Sequence, residues 1–172
     1  MVTEMQIAGR VPESTPLHET AELTVRANTL LGAALTYGEC GWPVFPCRAN
    51  KRPLTEHGFH NATTNGPQIV RWWRQWPDAL IGMPLKPNCV VVDVDDYAGL
   101  EELERRGLDL PDTLTARTPR GWHYWYWTSA PIGPRTAVIP HVDIRGLGSY
   151  VVVPPSPGYR WQVVGRISNG LV

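Results

Sequence analysis

The chain has 172 residues, 42% of them apolar and 19% charged, with 17 prolines, 8 tryptophans and a formal net charge of zero. That length supports one well-buried core and favours a single domain, and the neutral total excludes a chain-wide basic coat of the kind that marks many nucleic-acid binders. No apolar run approaches the roughly 20 residues that span a bilayer, and no signal-peptide pattern opens the chain, so a soluble, cytoplasmic protein without a membrane partner is expected.

Residues 1–18 hold two prolines and no sustained periodicity, which predicts a mobile tail ahead of a domain over 19–172. From Glu19 to Glu39, Leu23, Ala27, Leu30, Leu31 and Ala34 recur at helical spacing and predict one amphipathic helix. A short strand, GWPVFP at 41–46, and a polar, turn-rich stretch at 51–66 follow. In PQIVRWWRQWP at 67–77, Ile69, Trp72, Trp73 and Trp76 share one face of a predicted helix. ALIGMPL at 79–85 and NCVVVDVD at 88–95 read as buried strands, and YAGLEELERRG at 97–107 as a helix. The rest reads as strands: TLTAR, WHYWYW, AVIPHVDIRG at 137–146, SYVVVPPS and YRWQVV at 159–164. The order is mixed α/β and then mainly β.

Charge is distributed unevenly along this order. Residues 1–40 carry 2 basic and 5 acidic side chains, 41–92 carry 6 and 2, 93–112 carry 2 and 8, and 113–172 carry 6 and 1. An acidic island lies between two basic stretches. Cys40, Cys47 and Cys89 are odd in number and form no CxxC pair, which suits a reducing compartment.

The island opens where an apolar strand acquires Asp93, Asp95 and Asp96. Alternate strand residues point the same way, so Asp93 and Asp95 share a face about 7 Å apart at their Cα atoms, close enough to serve one or two divalent cations. The plainer reading is a strand leaving the core, its acids solvated or capping the next helix. A second candidate is TPRGWHYWYW at 118–127, where His123, Trp125 and Trp127 lie on one face and Trp122, Tyr124 and Tyr126 on the other. His123 alone reads as a structural histidine and the aromatics as core, although their density also suits base stacking. The third is HVDIRG at 141–146, where Asp143 and Arg145 share a face; the plainer reading is a surface ion pair on an edge strand.

Together, VVVDVD, the Thr-Pro turn ending in a histidine before an aromatic strand, and VDIRG with YVVVPPS resemble the bifunctional DNA primase-polymerase domain of the archaeo-eukaryotic primase superfamily. GWPVFPCRANKRPL, GFHNATTN and IVRWWRQWPDALIGMPL are similar to that domain's amino-terminal half, so the resemblance covers about residues 25–163. It implies an α/β (α+β) single domain: a mostly antiparallel, RNA-recognition-motif-like sheet, with an amino-terminal helix and strand unit as the other wall of a cleft. It implies Asp93, Asp95 and Asp143 as catalytic ligands of two Mg2+ or Mn2+ ions, and His123 as a contact to the nucleotide's phosphates. Arg145, Lys51 and Arg120 are further candidates for triphosphate contacts. The implied activity is template-dependent DNA primase/polymerase chemistry, a nucleotidyl transfer from dNTPs or NTPs in plasmid, phage or prophage replication. The implied partners are a DNA template and primer, and a helicase or other replication protein. The alternatives are a catalytically inactive nucleotide- or nucleic-acid-binding module and a metal-dependent phosphoesterase or nuclease.

Overall fold

The computed structural model describes residues 16–27 and 29–162; residues 1–15 of the expected tail, and Val163 and Val164 of the last expected strand, lie outside the described residues. The helix expected over 19–39 is two helices, α1 (Leu17–Val25) and α2 (Leu30–Glu39). Thr29 makes the break. Its extended backbone leaves the helical region, and its side chain accepts a hydrogen bond from Gly32 N at 3.0 Å, an N-cap that starts a new helix. The apolar spacing continues across the break because both helices bury residues in one core, Leu17 and Ala21 from α1 and Ala34 and Tyr37 from α2.

The Trp-rich helix forms as expected, as α3 (Gly66–Gln75). Asn65 accepts from Gln68 N at 2.9 Å, proline stands in the first turn, and Ile69 and Trp73 are buried. It packs tightly on α2, where a Cβ on Gly38 would stand 2.8 Å from Ile69 Cδ1.

The strands are β1 (Phe45–Cys47), β2 (Leu80–Pro84), β3 (Cys89–Val94), β4 (Thr115–Arg117), β5 (Trp122–Trp127), β6 (Arg135–Ile139), β7 (Val142–Arg145), β8 (Tyr150–Val153) and β9 (Arg160–Gln162), with α4 (Tyr97–Arg105) after β3. They build two antiparallel sheets, a small one in the order β1-β2-β8 and a large one in the order β6-β7-β3-β5-β4-β9. The fold is the expected α+β single domain. Within the large sheet, β7-β3-β5-β4 run fourth, first, third and second in chain order, the arrangement of a βαββαβ sheet. The second helix of that unit does not occur between β5 and β7; β6 takes its place.

The single strand expected over 137–146 is therefore a hairpin. Pro140 cannot donate to a ladder, and His141 takes a positive φ of 64° that turns the chain back. On one face of the large sheet, Val91, Ala116, Trp125 and Trp161 merge with residues of α1, α2, α3, β2 and β8 into the main core. On the other face, Val94, Trp122 and Val142 pack on Leu103 of α4. The first face, at the edge of its core, holds the candidate site.

Candidate active site

Asp93 is the centre of a row. In the antiparallel register it stands opposite Asp143 of β7 on one side and His123 of β5 on the other, and directly opposed residues project from the same face. β7 is thus an interior strand, and the expected edge-strand ion pair is a larger unit. Arg145 Nη2 donates to Asp143 Oδ2 at 2.6 Å, and Arg145 Nε donates to Asp93 Oδ2 at 3.3 Å. The other Asp143 oxygen accepts from the Ala137 backbone N–H at 2.7 Å.

Burial raises the Asp93 carboxyl above its ordinary pKa, against the opposing pull of Arg145 and Lys51. Asp95 lies just past the end of β3, its N–H bonded to His141 O at 2.9 Å. Its carboxyl is also raised, by burial first and then by repulsion from Asp93 and Asp143, with Arg120 opposing. These three acids share one electrostatic environment. Asp96 does what the plainer reading expects of a carboxylate here: it caps α4, accepting from Gly99 N at 3.3 Å.

His123 is 4% exposed, and burial, with Lys51 and Arg145 adding, pulls its pKa down to about 3, so the imidazole is neutral near pH 7. Its Nε2 lies 3.5 Å from Asp93 Oδ1, and its buried Nδ1 has no hydrogen-bond partner. Buried polar groups are usually hydrogen-bonded, so the unpaired Nδ1 leaves His123 with capacity for a further partner. The turn ahead of it is fixed by Thr118, whose side chain accepts from Gly121 N at 2.9 Å. Only glycine fits at 121, because a Cβ there would stand 1.8 Å from Val94 O. This close approach sets β5 against β3 and aims His123 beside Asp93.

A cavity of about 300 Å³ opens over this row, lined by Asp93, His123 and Arg145 on the large sheet and by Lys51, Phe59, Tyr150 and Val152 on the opposite wall. The expected second wall is present, but β8 joins the amino-terminal strands in building it. Lys51 sits in a left-handed turn conformation, φ 68°, with its carbonyl accepting from Tyr150 OH at 3.1 Å. Arg120 is on an exposed turn and does not line the cavity, and its charge acts on both Asp95 and the cavity residue Tyr159. Of the seven candidates, the structure gathers Lys51, Asp93, His123 and Arg145 at the cavity, ties Asp143 to them through Arg145, sets Asp95 at the strand end and leaves Arg120 outside.

A family model for the bifunctional DNA primase/polymerase N-terminal domain matches residues 34–167. The chain belongs to this family. Membership supports a function of the DNA primase/polymerase type. No curated protein matches the chain.

The primase/polymerase domain also brings residues to the cavity that sequence reasoning missed. Tyr159 OH is buried without a hydrogen-bond partner, and burial pushes its pKa up to about 12, so it remains a donor. Its ring centroid lies 6.0 Å from that of His123. The Gly-Tyr pair at 158–159 reads as an ordinary turn into a strand, and only the tertiary fold reveals the orphaned hydroxyl. The aromatics of β5 are core: Trp125 is fully buried and Trp122 and Tyr126 nearly so.

Carboxylate oxygens are the donors a hard divalent cation takes. Among the described residues, however, no three His, Cys, Asp or Glu side chains converge into a ready ligand set, and two of the acids are held by Arg145. The donor chemistry fits such an ion; the side-chain arrangement is that of an Arg145-paired site. The three cysteines are free and buried, and no helix among the described residues is long and apolar enough to cross a membrane.

Proposed function

We propose that this domain catalyses template-dependent nucleotidyl transfer from dNTPs or NTPs to a primer end, with Asp93, Asp95 and Asp143 as the ligands of Mg2+ or Mn2+. The observation that carries the reading is the row Asp143, Asp93 and His123 on three adjacent strands, of which Asp93 and His123 line a cavity together with Lys51 and Arg145. A bound divalent ion supplies Lewis-acid charge that activates a 3′-hydroxyl and stabilises leaving pyrophosphate.

The protein's own groups have separate tasks. Arg145, released from one carboxylate, presents a planar fork suited to phosphate oxygens. Lys51 adds a point charge from the opposite wall. Neutral His123 offers Nδ1 to the nucleotide, and Tyr159 offers its hydroxyl; both atoms are otherwise orphaned. Arg120, outside the cavity, suits a phosphate approaching Asp95. Buried free cysteines fit a reducing, cytoplasmic setting, and template, primer and nucleoside triphosphate are the partners, in replication of the plasmid or phage type.

One observation favours a second reading, a nucleotide-binding module without catalysis: the absence of a converged ligand set among the described residues. Labelled-nucleotide incorporation on a primed template with Mn2+ or Mg2+ separates the two. Synthesis lost in Asp143→Asn while nucleotide binding persists supports the enzyme; binding without synthesis by the wild type under either metal supports the module.

A further inference from the structure

The opposite face of the large sheet carries a feature that the cavity does not use. In register, Val94 of β3 opposes Trp122 of β5, Trp122 opposes Arg117 of β4, and Arg117 opposes Arg160 of β9, so these side chains share the α4 face. Val94 and Trp122 belong to the cluster beneath α4, whereas Arg160 at the β9 edge is exposed. The Arg117 guanidinium stands over the Trp122 ring, 4.1 Å from its centroid. Tyr97, the first residue of α4, meets Trp122 edge to face at 4.9 Å and 84°. Tyr97 is nevertheless 65% exposed, the largest exposure among the described large apolar residues.

The result is an aromatic and cationic ledge. Neither Arg117 nor Arg160 is in an ion pair among the described residues. Arg117 spends one N–H on Gly121 O, at 2.9 Å, which ties the ledge to the same turn that aims His123. The ledge begins two residues from Asp95, and Arg120, whose charge acts on Asp95, is exposed on the turn before β5. Exposed aromatic rings with unpaired arginines are the recognition chemistry of single-stranded nucleic acid, in which each base has a face to stack and each phosphate a charge to neutralise.

We infer that Tyr97, Arg117 and Arg160 form a docking surface for a single strand of nucleic acid, one base stacking on Tyr97 and backbone phosphates meeting the two arginines. The inference rests on the proposed nucleotidyl transfer, for which the strand is the template as it passes the end of β3. An acidic protein segment would also meet the arginines, and competition by polyglutamate distinguishes it from a nucleic-acid strand.

Fluorescence anisotropy of a labelled single-stranded oligonucleotide of about 16 nucleotides, titrated at several salt concentrations, tests it. Tyr97→Ala should weaken binding about 5- to 100-fold and Tyr97→Phe should retain most of it, since stacking needs the ring. Arg160→Gln should lower the slope of log affinity against log salt by about 0.7 for the lost phosphate contact. Arg117 also supports a turn, so Arg160→Gln and the Tyr97 pair carry the test if Arg117→Ala fails to fold. Dissociation constants for a nucleoside triphosphate should be unchanged in all three. Wild-type oligonucleotide binding and salt slope in Tyr97→Ala and Arg160→Gln would overturn the docking surface, as would polyglutamate displacing the oligonucleotide at matched charge. Synthesis that survives Asp93→Ala would instead overturn the proposed reaction and leave the ledge as a nucleic-acid site.

Discussion

Two carboxylates, Asp93 and Glu102, stand nine residues apart in the same acidic island and meet opposite physics. On α4, Glu102 accepts from Arg105 Nη2 at 2.6 Å and Arg106 Nε at 2.7 Å, and these bonds hold its carboxyl down to about 2. At the end of β3, Asp93 is largely buried, and its carboxyl is raised even with Arg145 and Lys51 beside it. The helix places its charges where water and neighbouring arginines satisfy them; the sheet concentrates its charges where they strain one another. Charge held at an energetic disadvantage beside a cavity marks a candidate ligand site, and this distinguishes the β3 acids from those of α4.

The largest break in that comparison is expected from Asp93→Ala. Incorporation of labelled nucleotide should fall by about 10³-fold or more, whereas Glu102→Ala should leave the rate at wild type; equal losses in both would erase the distinction. Next in size is Gly121→Ala, whose Cβ would collide with Val94 O. The shift needed to relieve it should reduce activity about 100-fold and cost about 1–3 kcal/mol in urea unfolding; an unaffected variant would mean that the turn does not position His123. Tyr159→Phe removes only an orphaned hydroxyl. Nucleotide affinity, read by calorimetry, should weaken about 2- to 10-fold with no fall in Tm, and unchanged affinity would exclude Tyr159 from the nucleotide site. The smallest effects should have opposite signs: in chelator, Asp93→Asn should raise Tm slightly by removing a buried charge, and Glu102→Gln should lower it slightly by removing a satisfied one. A lower Tm in Asp93→Asn would contradict the strain assigned to the β3 acids.

Much of the site was legible in the sequence because it follows local rules. A period of two placed Asp143 with Arg145 and His123 with Trp125 on common faces, and the structure keeps both pairings. The row itself was not legible, because which residue opposes Asp93 is set by register between strands distant in the chain. Thr29 and Pro140 show a different limit. Apolar spacing ran unbroken across one helix break and one hairpin, since α1 and α2 bury residues in one core and Ile139 packs partly buried on the same cluster as Val142, and the cap and the turn are single-residue signals. Tyr159 was invisible for a third reason: an unsatisfied hydroxyl exists only once every neighbour is in place.

The most direct measurement is a Mn2+ titration followed by electron paramagnetic resonance, in the presence of a nucleoside triphosphate, where bound ion leaves the free-ion signal. The account predicts bound Mn2+ beyond that held by nucleotide alone in the wild type and in Glu101→Gln/Glu102→Gln/Glu104→Gln, and its loss in Asp93→Asn/Asp95→Asn. Retained binding in the aspartate variant, or loss in the glutamate variant, would contradict the assignment of the buried acids as the metal site.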